Sequence, residues 1–80
     1  MKLPRGLTGA ELVRKLQRLG YAVTRQTGSH IRLTCAQPLA HHIAVPNHDP
    51  LRVGTLSSIL NEVCAAHAMS REQLIEKLFD

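Results

Sequence analysis

The stretch Arg25-Gln26-Thr27-Gly28-Ser29-His30-Ile31-Arg32 has the pattern of a β-hairpin bend, with a glycine in the turn and a histidine directly after it. Alternating side chains run out of this stretch in both directions. They predict strands over 21–26 and 30–35, joined by the turn Thr27-Gly28-Ser29. In the second strand, the set expected to face the core is Ile31, Leu33 and Cys35, and the set expected to face solvent or a ligand is His30, Arg32 and Thr34.

A helix is predicted over 8–19, ahead of the hairpin. Thr8 and Glu11 have the spacing of a capping box, in which each residue bonds the other's backbone. Apolar residues then recur at helical intervals, and Gly20 is suited to end the helix, since glycine readily adopts the left-handed conformation found there.

Three further elements follow the hairpin. A third strand is predicted over 42–45 and is ended by Pro46. Its alternation places Ile43 and Val45 inward and His42 and Ala44 outward. A second helix is predicted over 55–66 from a strong apolar stripe. A third is predicted over 70–79, with Ser70 as its cap and Gln73 in the capping-box position.

The resulting order, α-β-β-β-α-α, predicts an α+β two-layer sandwich. Three strands joined by short loops favour an antiparallel meander, and the apolar helix faces would cover one side of this three-stranded sheet and leave the other side open. With 80 residues, the chain has enough length for one domain, which we expect to span residues 1–80.

The charge balance favours a polyanionic partner. Lysine and arginine number 10 against 6 acidic residues, a formal charge of +4 with histidine neutral. The chain has one tyrosine, one phenylalanine and no tryptophan, so stacking on unpaired bases is not expected to be the main way of holding RNA. An RNA partner would be held mainly through its phosphates and sugars.

The compartment is inferred from the cysteines and the apolar runs. Cys35 and Cys64 are far apart among apolar residues, as expected for free thiols in a reducing compartment. Neither a signal peptide nor a membrane span is recognisable. We therefore expect a cytoplasmic protein without membrane attachment.

Several short stretches together resemble the HicA toxin family, also called YcfA-like, which are small mRNA interferases with a fold like the double-stranded-RNA-binding domain. The matching stretches are Leu3-Pro4, Leu16, Leu19-Gly20-Tyr21, Arg25-Gln26-Thr27-Gly28-Ser29-His30, Val45-Pro46-Asn47-His48, Gly54-Thr55-Leu56, Ile59-Leu60 and Met69-Ser70 with Glu72. They follow in order over nearly the whole chain.

Two segments depart from the family pattern. Gln37-Pro38-Leu39-Ala40 stands where the family usually has an Asp-Gly type of turn, and the segment 64–69 is longer than the usual glycine-containing connection. Neither departure touches the hairpin, so the resemblance still applies to the fold and the site.

The resemblance implies a toxin of a type II toxin–antitoxin system. Its activity would be metal-independent endoribonuclease cleavage of mRNA without a cofactor. The histidine of the Gly-Ser-His motif, here His30, would be the catalytic residue. The expected protein partner is a HicB-type antitoxin that binds over the active face.

The residues of the hairpin suit this chemistry on their own account. RNA carries its own nucleophile, the 2′-hydroxyl, so cleavage needs a proton acceptor, a proton donor and stabilisation of the phosphate charge. Histidine, with an ordinary pKa of about 6.5, can perform either proton transfer near neutral pH. The pattern by itself also allows an ordinary exposed histidine after a turn, and the resemblance favours catalysis by His30.

Four residues of the hairpin are predicted to bind RNA. Arg25 and Arg32 would hold the phosphate. Gly28 would provide a positive φ or a close approach of phosphate. Ser29 would either donate a hydrogen bond to phosphate or cap the turn.

The remaining histidines raise two alternatives. His48, in the loop after the third strand, would act as a second proton carrier or remain a solvated loop residue. A zinc site would need Cys35, His41, His42 and His48, but their spacing matches no common ligand pattern, so no metal site is predicted.

Two other functions compete with the ribonuclease interpretation. One is an RNA-binding module on the same fold, in which His30 carries out no chemistry. The other is a DNA-binding or protein-interaction domain that uses helices 55–66 and 70–79 as a helix-turn-helix. The acidic residues of the last helix disfavour groove reading, and they are Glu72, Glu76 and Asp80.

Overall fold

The computed structural model describes residues 5–37 and 39–79. Its helices are α1 (Gly9–Gln17), α2 (Val53–His67) and α3 (Arg71–Phe79), and its strands are β1 (Ala22–Thr27), β2 (His30–Cys35) and β3 (His41–Pro46). The strands form one antiparallel sheet in the order β1-β2-β3. The α+β class and the α-β-β-β-α-α order are confirmed. Leu3-Pro4, Pro38 and Asp80, which entered the sequence interpretation, lie outside the described residues.

The core fills the space between the helices and one face of the sheet. As predicted from the alternation, the inward side chains of β2 and β3 are buried and their neighbours face outward. The fully buried leucines of the helices join these strand side chains in one core cluster, and they are Leu12, Leu16, Leu56, Leu60, Leu74 and Leu78. β1 is exposed along its whole length. The outer face of the sheet is therefore free of core packing. Within the described ranges, no helix is long and apolar enough to cross a membrane.

The predicted capping box and glycine stop of α1 are both present. The backbone N–H of Thr8 donates to Glu11 at 2.9 Å, and the N–H of Glu11 donates to the Thr8 hydroxyl at 3.1 Å. These bonds from Thr8 lower the pKa of Glu11. At the other end, Gly20 has a φ of +98°. The N–H of Gly20 donates to the carbonyl of Gln17, and the N–H of Tyr21 donates to the carbonyl of Leu16, which is the pattern of a Schellman turn.

Some predicted boundaries were wrong by one or two residues. The α-helix ends at Gln17 rather than at 19, because the Schellman turn takes up the last residues. β1 extends to Thr27, which pairs with His30, so the hairpin turn is only Gly28-Ser29. β3 includes Pro46, and an edge strand tolerates proline, since one row of its backbone groups has no partner strand.

The second helix begins two residues earlier than predicted. α2 starts at Val53, with Arg52 in the cap position and no side-chain cap bond. It ends at His67, and Ala68 follows in the left-handed conformation with a φ of +52°. The next helix has the predicted reciprocal bonds between Ser70 and Gln73.

A Tyr–His–His cluster joins three elements at the end of the sheet opposite the hairpin bend. The Tyr21 hydroxyl lies 2.6 Å from Nε2 of His41 and 3.2 Å from Nε2 of His67. Nδ1 of His41 lies 2.6 Å from the carbonyl of Leu39, which can only accept. His41 therefore donates from Nδ1, its Nε2 accepts from Tyr21, and the tyrosine oxygen accepts from His67. Every bond is satisfied with both imidazoles neutral.

This cluster makes part of the stability depend on pH. Burial, and then the neighbouring His41, lower the pKa of His67 from its ordinary 6.5. The neutral ring stabilises the fold fully above that value, and the contribution is lost as pH falls through the lowered pKa. Denaturant unfolding at pH 7.5 and pH 5 should show a smaller acid-induced loss in His67→Gln, which keeps a donor but does not titrate. An equal loss in His67→Gln and the wild type would contradict this role. His42→Gln, from the open sheet face, is the matched control.

Candidate functional site

The hairpin bend is a two-residue loop whose shape requires glycine. Gly28 has a φ of +54°, and a Cβ added to it would meet no atom within 4 Å. The positive φ, rather than crowding within the chain, therefore accounts for glycine here. Ser29 completes the loop, and its carbonyl accepts a 2.6 Å hydrogen bond from the N–H of Asn47. The bend is thus bonded to the segment that follows β3.

A β-bulge decides where Arg25 lies. Val23 pairs with Leu33, whose side chain is buried, so strict alternation would place Arg25 on that same inward face. Instead the register shifts between Val23 and Arg25, and Arg25 pairs with Arg32. The extra residue is Thr24, and its hydroxyl oxygen lies 3.0 Å from the hydroxyl oxygen of Thr34. The bulge therefore brings Arg25 to the outer face, an effect typical of bulges.

Arg25 and Arg32 are direct cross-strand partners, and both are exposed. Like charges directly opposite each other on a sheet destabilise it. They line a depression of about 330 Å³ on the outer face, together with Thr27, His30, His42 and Ala44. None of these described lining residues is acidic. A bound phosphate would supply the missing negative charge between the two guanidinium groups.

His30 is the first residue of β2, with Thr27 beside it on β1 and Pro46 on β3. Its side chain is exposed. It lines the depression with the arginines and also a second one, of about 440 Å³, between β3 and α2. His30 and Ala44 therefore form the common wall of two adjoining depressions, and His30 can be reached from both.

The second depression brings residues together that the sequence interpretation did not connect with the hairpin. Its remaining described lining comes from β3 and from residues 54–62 of α2, namely Ala44, Pro46, Gly54, Thr55, Ser58, Ile59 and Glu62. The sequence signal for this surface was a polar stripe at helical spacing in α2, but such a stripe resembles any solvated helix face. Only the packing of α2 against β3 places it beside His30.

The predicted site residues fall into two groups. Arg25, Arg32 and His30 line one depression, whereas Gly28 and Ser29 lie in the bend beside it. His48 is exposed, and its carbonyl accepts a 2.9 Å bond from the N–H of Gly9.

The residues weighed for a zinc site do not converge. His41 turns inward to the tyrosine cluster, whereas His42 faces the outer depression. Cys35 is buried, and its thiol donates to the carbonyl of Gln37. Across residues 5–37 and 39–79, no three or more His, Cys, Asp and Glu side chains are placed to hold a metal ion.

Comparison with protein families gives a match over most of the chain. The model of the family described as "HicA toxin of bacterial toxin-antitoxin" matches residues 9–63. The chain belongs to the HicA toxin family. It thus has a toxin role in a toxin–antitoxin system, and the match includes the hairpin and both depressions. Searches of curated proteins and of solved structures found no match.

The opposed arginines of this HicA-family protein should cost stability until an anion binds. At low ionic strength, Arg25→Gln or Arg32→Gln should raise the free energy of unfolding by a few tenths of a kcal/mol, roughly the scale of a cross-strand pair, and added salt should reduce the gain. Inorganic phosphate, compared with chloride at equal ionic strength, should stabilise the wild type more than either variant.

Arg14→Gln is the matched control, since it removes the same charge from the last turn of α1. It should lower stability slightly, because a cation there interacts favourably with the helix dipole. Denaturant unfolding measures all four proteins. An equal response to phosphate in all of them would show that the arginine pair is not an anion site.

Proposed function

We propose that this HicA-family toxin is a metal-independent endoribonuclease that cleaves mRNA, with His30 as its catalytic residue. The observation that carries the proposal is the position of His30, exposed at the junction of two depressions and beside a pair of opposed arginines. A proton-transfer group and an anion site therefore lie side by side on an open surface.

The reaction uses the nucleophile that RNA supplies. The 2′-hydroxyl oxygen attacks the adjacent phosphorus, the bond from phosphorus to the 5′-oxygen breaks, and a 2′,3′-cyclic phosphate and a 5′-hydroxyl result. One proton leaves the 2′-hydroxyl and one reaches the departing 5′-oxygen. His30 carries out one of these transfers. Arg25 and Arg32 stabilise the negative charge that gathers on the phosphate oxygens in the transition state.

The position of the aromatic residues favours binding through the RNA backbone. The chain has one tyrosine and one phenylalanine. Tyr21 is buried in the histidine cluster, and Phe79 packs against the core. Neither ring is on the outer face, so bases cannot stack on them there. Phosphate contacts supply most of the affinity, and affinity should fall as salt rises.

The same open face suits an inhibitory partner. A HicB-type antitoxin that covers His30 and the arginines would exclude RNA, and acidic side chains on it would relieve the repulsion between Arg25 and Arg32. Both proteins would act in the cytoplasm, where mRNA is available.

His30→Ala should abolish cleavage, because it removes the proton-transfer group, and should change the free energy of unfolding by no more than about 0.5 kcal/mol, as expected for an exposed residue. Single-turnover cleavage of a labelled RNA measures the rate, and denaturant unfolding measures the stability. Cleavage by the wild type should persist in EDTA.

His42→Ala is the control from the same depression. The pairing partner of His42 is Thr34, four residues along β2 from His30, which separates the two histidines by roughly 13 Å of strand. His42→Ala should therefore retain cleavage. A folded His30→Ala variant that cuts RNA at the wild-type rate would refute catalysis by His30. RNA binding without cleavage by the wild type would indicate a non-catalytic RNA-binding module.

A further inference from the structure

The depression between β3 and α2 has two chemically different sides. Thr55, Ser58 and Glu62 follow one another at i, i+3 and i+7, so they share one face of α2. Apart from His30, small or apolar side chains form the rest of the described lining, chiefly Ala44, Pro46 and Ile59. A volume of about 440 Å³ is in the range of small-molecule sites, so the space suits a flat heterocycle with polar edges.

Charge separates this depression from its neighbour. Glu62 is exposed, and it is the one carboxylate among the described residues that line either depression. Arg25 and Arg32 line the other one. A phosphate is therefore attracted to the arginine side and repelled from Glu62. The group that fits beside Glu62 is one that donates hydrogen bonds.

A nucleobase adjoining the reacting phosphate meets these requirements. When the phosphate of a nucleotide lies between the arginines, His30 lies between that phosphate and the second depression. The base of the same nucleotide would then reach the second depression. Pro46 and Ile59 would contact the face of the base, and Glu62 would contact its edge. Single-stranded RNA is commonly read in this way, through base edges that are free of pairing.

We propose that this depression is the base subsite next to the cleaved bond and that Glu62 makes it selective for guanine, an inference that rests on the proposed ribonuclease function. Guanine presents two neighbouring donors on its pairing edge, N1–H and the 2-amino group, and a carboxylate can accept from both. Adenine and cytosine place an acceptor nitrogen beside their amino group, and uracil places N3–H between two carbonyls. Each of these three bases offers Glu62 one donor and at least one repulsive acceptor.

Binding to RNA that is not cleaved tests the subsite without depending on catalysis. The protein is the His30→Ala variant, and the probes are fluorescent heptauridylate and three versions with a single central guanine, adenine or cytosine. Fluorescence anisotropy gives the four dissociation constants. The guanine oligonucleotide should bind at least about tenfold more tightly than the others, the scale expected of hydrogen bonds to a charged group.

The decisive comparison adds Glu62→Gln or Glu76→Gln to this background. Both substitutions remove one negative charge from an exposed helix position, so both should raise the affinity for the uridine, adenine and cytosine oligonucleotides similarly. Only Glu62→Gln should reduce the preference for guanine, to about twofold or less, since an amide accepts with one oxygen and its NH₂ group opposes a donor. Circular dichroism confirms that each variant is folded.

The outcomes separate the subsite from the enzymatic proposal. Equal affinity for the four oligonucleotides, or a guanine preference that survives Glu62→Gln, would overturn the subsite. A guanine preference that depends on Glu62 would support the subsite even if the wild type cleaved no RNA. Failure of the wild type to cleave RNA would overturn only the ribonuclease proposal. Absence of RNA binding would overturn both.

Discussion

The buried apolar side chains of β2 and β3 all lie on one face of the sheet. Because the core needs only this face, the opposite face can carry charged and polar residues. Ile31, Leu33, Ile43 and Val45 are all less than a tenth exposed. The helices cover them, so the side chains on the opposite face do not have to pack in the core. Charged residues can therefore be opposed there at little cost to folding. The exposed β1 strand extends this open face on the side of Arg25.

On the open face, the register between β1 and β2 determines which charged side chains lie opposite each other. The bulge at Thr24 aligns two guanidinium groups that a regular ladder would have placed on opposite faces. The free protein then keeps a local repulsion that a bound anion would relieve. The β1–β2 ladder pairs the two arginines directly, and the β2–β3 ladder holds β2 from its other side.

Backbone contacts fix the hairpin to the rest of the fold. Asn47 donates to Ser29, and Gly9 donates to His48 in the same segment. At Gly9 a Cβ would lie 2.1 Å from the carbonyl oxygen of Pro46, so only glycine permits this approach of α1 to the end of β3. The walls of the two depressions near His30 are therefore positioned by the backbone of three elements rather than by flexible side chains.

The sequence was sufficient for the parts that depend on local patterns. Capping at Thr8 and Ser70, the glycine stop at Gly20 and the alternating faces of β2 and β3 were all predicted correctly. The bulge could not be, because Thr24 and Arg25 are both polar and a one-residue shift leaves no hydrophobic signal. The bond between Tyr21 and His67 joins residues 46 apart in the chain, and the presence of Glu62 and His30 in the lining of one depression depends on tertiary packing. These features have no local sequence pattern.

The central claim is that RNA lies across the outer face of the sheet with its phosphate between Arg25 and Arg32. The most direct measurement is an amide chemical-shift titration of isotope-labelled wild-type protein with a single-stranded RNA made uncleavable by 2′-O-methyl groups. The largest shifts are expected at residues 25–32, 44, 45, 47 and 54–62, with small shifts in α3. Large shifts confined to α3 and the exposed face of α1, with an unchanged hairpin, would contradict it.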